Sequence, residues 1–253
     1  MNKLPEVTLL FWIMKIAATT LGETSGDLLS MTMDLGYAVS SVILFGFFLF
    51  TVVPQLAVKK YHPVLYWSVI LSTTMVGTTI SDYMDRTLKL GYVRGSAILL
   101  GILLMIFAFW RLSGLPLDIK KIRSFKTELP YWIAILVSNT LGTAMGDFFA
   151  DTSGFGFAGG AELIGGVLVL AALAAYFTRV SRVFLFWLAF VLTRPFGATF
   201  GDLFTKPVAK GGLGLGTIYS SLVLVAILGV CMAYHSWRHY CVDCVDVRVD
   251  DAQ

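Results

Sequence analysis

The sequence predicts an all-α membrane protein, with eight transmembrane helices forming four parallel helical-hairpin repeats in two pseudo-symmetric halves. Three observations carry this. The 253 residues are 57% apolar and 14% charged, where a soluble domain carries about 25% charge, and the mean hydropathy is +0.79. Apolar stretches of roughly twenty residues, the length a helix needs to cross a bilayer, recur along the chain. Trp12, Trp67, Trp132 and Trp187 return at separations of 55, 65 and 55 residues. So little charge cannot cover a water-exposed surface, which leaves no room for a soluble enzyme, a nucleic-acid binder or a disordered chain. With 3 cysteines there is no disulfide framework.

The eight spans run over 7–26, 37–57, 63–82, 91–111, 129–147, 156–178, 183–202 and 213–234. The first is not a signal peptide, because it matches the later odd spans residue by residue. The second ends among Pro54, Lys59 and Lys60, and Pro63 opens the third. Arg111 closes the fourth, and a basic stretch follows. Arg179 and Arg182 separate the sixth from the seventh. The chain therefore divides into a first half (1–112), a cytoplasmic basic linker (113–128), a second half (129–235) and a cytoplasmic tail (236–253). Outside the spans, twelve Lys and Arg fall on one side, whereas the other side has only Arg86, Lys89, Arg94, Lys206 and Lys210. The positive-inside bias puts both termini in the cytoplasm. The opposite face is acidic and would concentrate cations, although a merely non-basic outer face reads the same way.

The repeat has further columns. Gly22, Gly77, Gly142 and Gly197 follow each Trp by 10 residues, and Asp27, Asp82, Asp147 and Asp202 follow by 15. Gly36, Gly91, Gly156 and Gly211 follow each Asp by 9. The offset of 120 divides the chain into two halves of two repeats, and two spans per repeat make every repeat enter the membrane in one direction, so the carboxylates share one depth. On a helix, the positions 7, 11 and 15 after each Trp share one face. The resulting stripes are Thr19, Glu23 and Asp27; Thr74, Thr78 and Asp82; Asn139, Thr143 and Asp147; and Arg194, Ala198 and Asp202. Polar stripes in lipid must face protein or water, so the four converge on a shared polar core.

Ionisable residues inside a bilayer are functional candidates. The ion-binding candidates are Glu23, Asp27, Asp82, Asp147, Asp202 and Glu162, with Thr19, Thr74, Asn139 and Thr143 beside them. Four acids at helix C-terminal ends need compensation, and oxygen donors of this kind suit Mg²⁺, Ca²⁺ or Mn²⁺. The alternative is that each Asp only caps the next turn. Lys15 and Arg194 are the candidate charge partners. Arg194 is expected either to pair with Glu23, Glu162 or an Asp, or to act as a tethered cation competing with substrate. Lys15 is expected to snorkel toward the cytoplasm, and the four Trp to anchor at the membrane interface. The glycine runs at 156–166 and 211–216 allow close helix approach. In the tail, His235, His239, Cys241 and Cys244 have spacings that fit a Zn²⁺-type site, with a reduced, metal-free tail as the alternative.

On the four Trp and the motifs GETSGD, GTTISD, GTAMGD and GATFGD, which end at Asp27, Asp82, Asp147 and Asp202, the chain resembles a family of bacterial multi-pass membrane proteins. That family is built from a tandem repeat of unknown function, with two spans and a characteristic Trp per repeat. The resemblance covers almost all of 5–235. It implies an eight-span bacterial inner-membrane protein and brings no activity with it.

The sequence holds no phosphate loop, zinc-protease pattern, nucleophile elbow or dinucleotide fingerprint. The expectation is a non-enzymatic secondary transporter for a small cation, divalent and Mn²⁺- or Mg²⁺-like, with proton-coupled export as one mode. No covalent cofactor is expected, and the divalent cation enters as substrate. The partners are the lipid bilayer and the cation, with no nucleic acid and a homo-oligomer left open. The alternatives are a passive cation channel, or a non-transporting scaffold or sensor with a metal-binding cytoplasmic tail.

Overall fold

A computed structural model describes residues 3–250, with side chains to residue 237. Eight long helices and no strand are found among the described residues: α1 (Leu9–Asp27), α2 (Gly36–Ala57), α3 (Pro63–Asp82), α4 (Tyr92–Leu112), α5 (Phe125–Asp147), α6 (Gly156–Phe177), α7 (Arg182–Thr205) and α8 (Thr217–Asp250). All except α1 are long and apolar enough to cross a membrane. Lys15, Glu23 and three threonines make α1 more polar.

Each odd helix starts on a side-chain cap. Thr8 and His62 accept from the backbone N–H groups of Phe11 and Leu65, Ser181 accepts from Phe184, and Ser124 forms a capping box with Thr127. The first three odd helices run through their Asp into a π-helical turn: Leu28–Thr32, Tyr83–Thr87 and Phe148–Thr152. The glycine column nine residues after Asp then has its explanation. Gly36, Gly91, Gly156 and Gly211 have φ of 72°, 74°, 67° and 84°, a left-handed backbone that glycine adopts without a Cβ clash. In the fourth repeat Gly211 lies in a loop, because GGLGLG does not continue as helix and α8 starts at Thr217 rather than 213. The α8 backbone continues to Asp250, so the tail boundary expected at 236 falls inside it.

The odd helices form a closed ring in the order α1, α3, α5, α7 and back to α1. The equivalent glycines hold it together. A Cβ on Gly22 would strike Thr74, on Gly77 Asn139, on Gly142 Arg194, and on Gly197 Thr19. Each junction thus sets the position 10 after Trp against the position 7 after Trp of the next odd helix. One turn further on, Gly26 meets Thr78, Gly146 meets Ala198 and Gly201 meets Glu23. Both contact levels advance in the same direction, so the four helices are parallel and in register, as small residues at an interface permit.

The even helices pack outside the ring. Each lies mainly on the odd helix of the following repeat: α2 on α3, α4 on α5, α6 on α7, and α8 closes onto α1. This differs from the expectation of one hairpin per repeat. In the first three repeats the reversal after Asp gives the π-helical turn, not the even helix itself, to its own repeat, and α2, α4 and α6 touch those turns. Burial follows: 67% of the apolar window is buried in α3 and α5, against 22–28% in the even helices.

Candidate functional site

The ring brings the four polar stripes to one axis. Its threonines are tolerated there because they return their hydroxyls to their own backbones, as Thr19 does to the Ile16 carbonyl, Thr73 to Ile70 and Thr74 to Leu71. Asn139 Nδ2 donates to Thr73 Oγ1 at 2.9 Å.

Arg194 lies fully buried at the centre. Its Nη2 donates toward Glu23 Oε2 at 2.9 Å, Thr78 Oγ1 at 2.5 Å, Thr143 Oγ1 at 2.7 Å and the Thr74 carbonyl at 3.4 Å. One guanidinium on α7 therefore reaches the other three odd helices. Of the partners open to it in sequence, Glu23 is the one it takes. Thr78 also donates to Glu23 Oε2, at 3.3 Å.

Toward the other end the four Asp are buried and form two pairs, each bridged by one base. Lys206 Nζ lies 2.6 Å from Asp27 Oδ2 and 3.1 Å from Asp202 Oδ1. Arg86 Nε lies 2.9 Å from Asp82 Oδ1, and its Nη2 lies 3.1 Å from Asp147 Oδ2. Burial works against the Lys206 charge, but Asp202 and Asp27 outweigh it and hold the ammonium above the ordinary lysine range. Asp27, Asp82 and Asp147 make no capping bond to the turn that follows them, so capping does not explain the column.

Glu23, Asp147 and Asp202 each offer one carboxylate oxygen, and these three atoms lie within 4.8 Å of one another, all buried. They come from α1, α5 and α7. Three oxygen donors at this spacing match the ligand type that hard divalent cations take.

At the Trp end the ring closes on aromatic side chains. Phe11 packs on Trp67 with centroids 5.5 Å apart, Tyr66 on Trp132 at 5.5 Å, Tyr131 on Trp187 at 6.0 Å, and Phe186 on Trp12 at 5.9 Å. Each contact joins the residue before one Trp to the Trp of the neighbouring odd helix. The Tyr66 and Tyr131 hydroxyls also share a hydrogen bond of 2.7 Å. Beside this end, Glu128 is fully buried between Lys3, Gln55 and Trp132. A cleft of about 780 Å³ opens nearby between the N-terminal segment and residues 117–120, but none of the axial carboxylates lines it.

Several sequence expectations need correction. Trp67, Trp132 and Trp187 are buried within the aromatic ring rather than facing an interface, and Trp12 is half-buried. Lys15 does not snorkel: it is fully buried, with its ammonium 3.9 Å above the Phe190 ring. Glu162 lies on the exposed face of α6 and takes no part in the core. His235 hydrogen-bonds Tyr61 through Nε2 at 3.1 Å. The side chains of His239, Cys241 and Cys244 lie outside the described residues.

Arg86 and Lys206 are the participants that sequence reasoning missed. Both stand 19 residues after a Trp and are separated by the same 120-residue offset as the halves, while Met31 and Asp151 hold that position in the other repeats. Both sit just beyond the odd spans, so they read as loop charges. The aromatic column one residue before each Trp was equally legible.

A family model described as Repeat of Unknown Function (DUF347) matches the chain four times, over residues 10–61, 65–115, 130–181 and 185–240. No curated protein and no solved structure matches it.

Proposed function

The chain belongs to the DUF347 repeat family, and we propose that it is a secondary transporter carrying a small divalent cation, Mg²⁺- or Mn²⁺-like, along the axis of the α1–α3–α5–α7 ring. The observation that carries this reading is the buried triplet of Glu23, Asp147 and Asp202, with oxygens mutually within 4.8 Å. Carboxylates so close repel in a low-dielectric interior unless a positive charge joins them. Tethered bases fill that role in this state, and a divalent ion supplies the same charge in a compact form.

The membrane frame of the proposal is eight crossings, with both termini in the cytoplasm of a bacterial cell and the Trp ends facing inward. Two observations support counting α1. Its glycines and threonines mesh at the same depth as those of α3 and α7, and both of those helices have the length and hydropathy to cross. The lysine and arginine bias supports the orientation. The axis is closed by aromatic rings at one end and by Arg86 and Lys206 at the other. That closure favours a carrier over an open pore.

The test is a proteoliposome screen of Mn²⁺, Mg²⁺, Ca²⁺, Zn²⁺, Na⁺ and K⁺, with and without a pH gradient. The expected result is saturable movement of a divalent cation, abolished by Asp147→Asn in protein that still elutes as a folded species. If no ion moves and none raises the melting temperature, the proposal fails.

A further inference from the structure

Glu23 is claimed twice. Its Oε2 accepts from Arg194 at 2.9 Å, and the same carboxylate belongs to the triplet with Asp147 and Asp202. Every member of the triplet holds a base: Arg194 on Glu23, Arg86 on Asp147 and Lys206 on Asp202. The three bases differ in where they can go. The Arg86 and Lys206 side chains are 31% and 19% exposed, so they can withdraw toward solvent, whereas Arg194 is 0% exposed and has no such exit.

Arg194 has an internal retreat instead. Nη2 carries two protons, yet Glu23 Oε2, Thr78 Oγ1, Thr143 Oγ1 and the Thr74 carbonyl all lie within reach. It can therefore release Glu23 and keep both protons bonded. The two partners also break the repeat symmetry. The equivalents of Arg194 are Thr19, Thr74 and Asn139, and those of Glu23 are Thr78, Thr143 and Ala198. The one axial base at its level and the one axial acid at its level thus meet where the first and last odd helices close the ring.

Resting on the transport reading above, we infer that Arg194 is the carrier's built-in counter-cation. It holds Glu23 when no substrate ion is bound, and turns to Thr78 and Thr143 when an ion takes Glu23. A buried carboxylate left bare is strongly unfavourable. With Arg194 on Glu23, the empty carrier reorients without exposing that charge to the interior. Net flux is then open to the carrier, which is not confined to one-for-one exchange.

The experiment uses the full chain in proteoliposomes with Mn²⁺ as the only probe. Uptake is measured into Mn²⁺-free vesicles, which reads net flux, and into Mn²⁺-loaded vesicles, which reads exchange. Wild type shows both. Arg194→Gln lowers the ratio of net flux to exchange by about tenfold or more, and Arg194→Lys restores it. Because Arg194→Gln can fail to fold, a second variant keeps the ion pair and removes the retreat. Thr78→Val with Thr143→Val penalises the ion-bound state alone, so it raises the Mn²⁺ concentration for half-maximal uptake in both arms without lowering the ratio. An unchanged ratio in folded Arg194→Gln, or an unchanged half-maximal Mn²⁺ concentration in the double variant, overturns the inference while the carrier reading stands. Loss of both rates in folded Arg194→Gln also overturns it, since Arg194 then serves only to build the site. Wild type that moves no Mn²⁺ in either arm defeats the transport reading, and this inference with it.

Discussion

The two ends of the odd-helix ring obey the same symmetry differently. At the Trp end one contact is repeated around the ring, from Phe11 on Trp67 through to Phe186 on Trp12. At the Asp end the backbone and the four Asp keep the repeat, but the charges that compensate them do not. Bases 19 residues after Trp occur only as Arg86 and Lys206, and Glu23 and Arg194 have no counterparts at their own levels. Shape can be copied four times, because aromatic rings pack on one another favourably in any number. Like charges can be copied only with compensation, because copies at one depth repel. Duplication supplied the scaffold, and departure from it supplied the compensating charges.

The largest test of that contrast is Glu23→Gln, which strands Arg194 as an unpaired buried charge and should cost about 3–5 kcal/mol. The double variant with Arg194→Met should recover most of it. Unfolding in detergent, read as a double-mutant cycle, checks the coupling; additive losses would mean that the pair is not a unit.

A middle-sized effect lies at the glycine junctions, which both ends share. A Cβ on Gly77 would stand 2.9 Å from the Asn139 and Thr140 backbone, which cannot rotate away, whereas Gly101 on α4 faces open space. Gly77→Ala should therefore cost about 1–3 kcal/mol, and Gly101→Ala should change thermal stability by no more than about 0.5 kcal/mol. Equal effects would place the ring and the outer helices on the same footing.

The smallest effect belongs to the aromatic end. Tyr66→Phe removes the hydrogen bond to Tyr131 but leaves the ring packing, and should cost about 0.5–1.5 kcal/mol. A loss as large as that of Glu23→Gln would show that this end depends on polar pairing after all.

Much of this was legible beforehand. The polar stripes do meet, and Thr74, Asn139, Thr143 and Glu23 line the axis as their spacing implies. The burial of Lys15 and of three Trp was not legible, because interface and core Trp look alike in one chain. Glu162 carried the same sequence signal as Glu23, an acid within an apolar span, yet it sits on an outer helix.

The amino-acid sequence alone determined the eight helices, their glycine breaks and the four-fold columns, because hydrophobic run length, helical period and left-handed φ are properties of neighbouring residues. Only the tertiary structure decided which charges pair. Arg194 and Glu23 are 171 positions apart, and Lys206 and Asp27 are 179 apart. Their meeting depends on α7 closing against α1, and on each even helix covering the odd helix of the next repeat. Ring closure is a long-range geometric condition, and no local pattern encodes it.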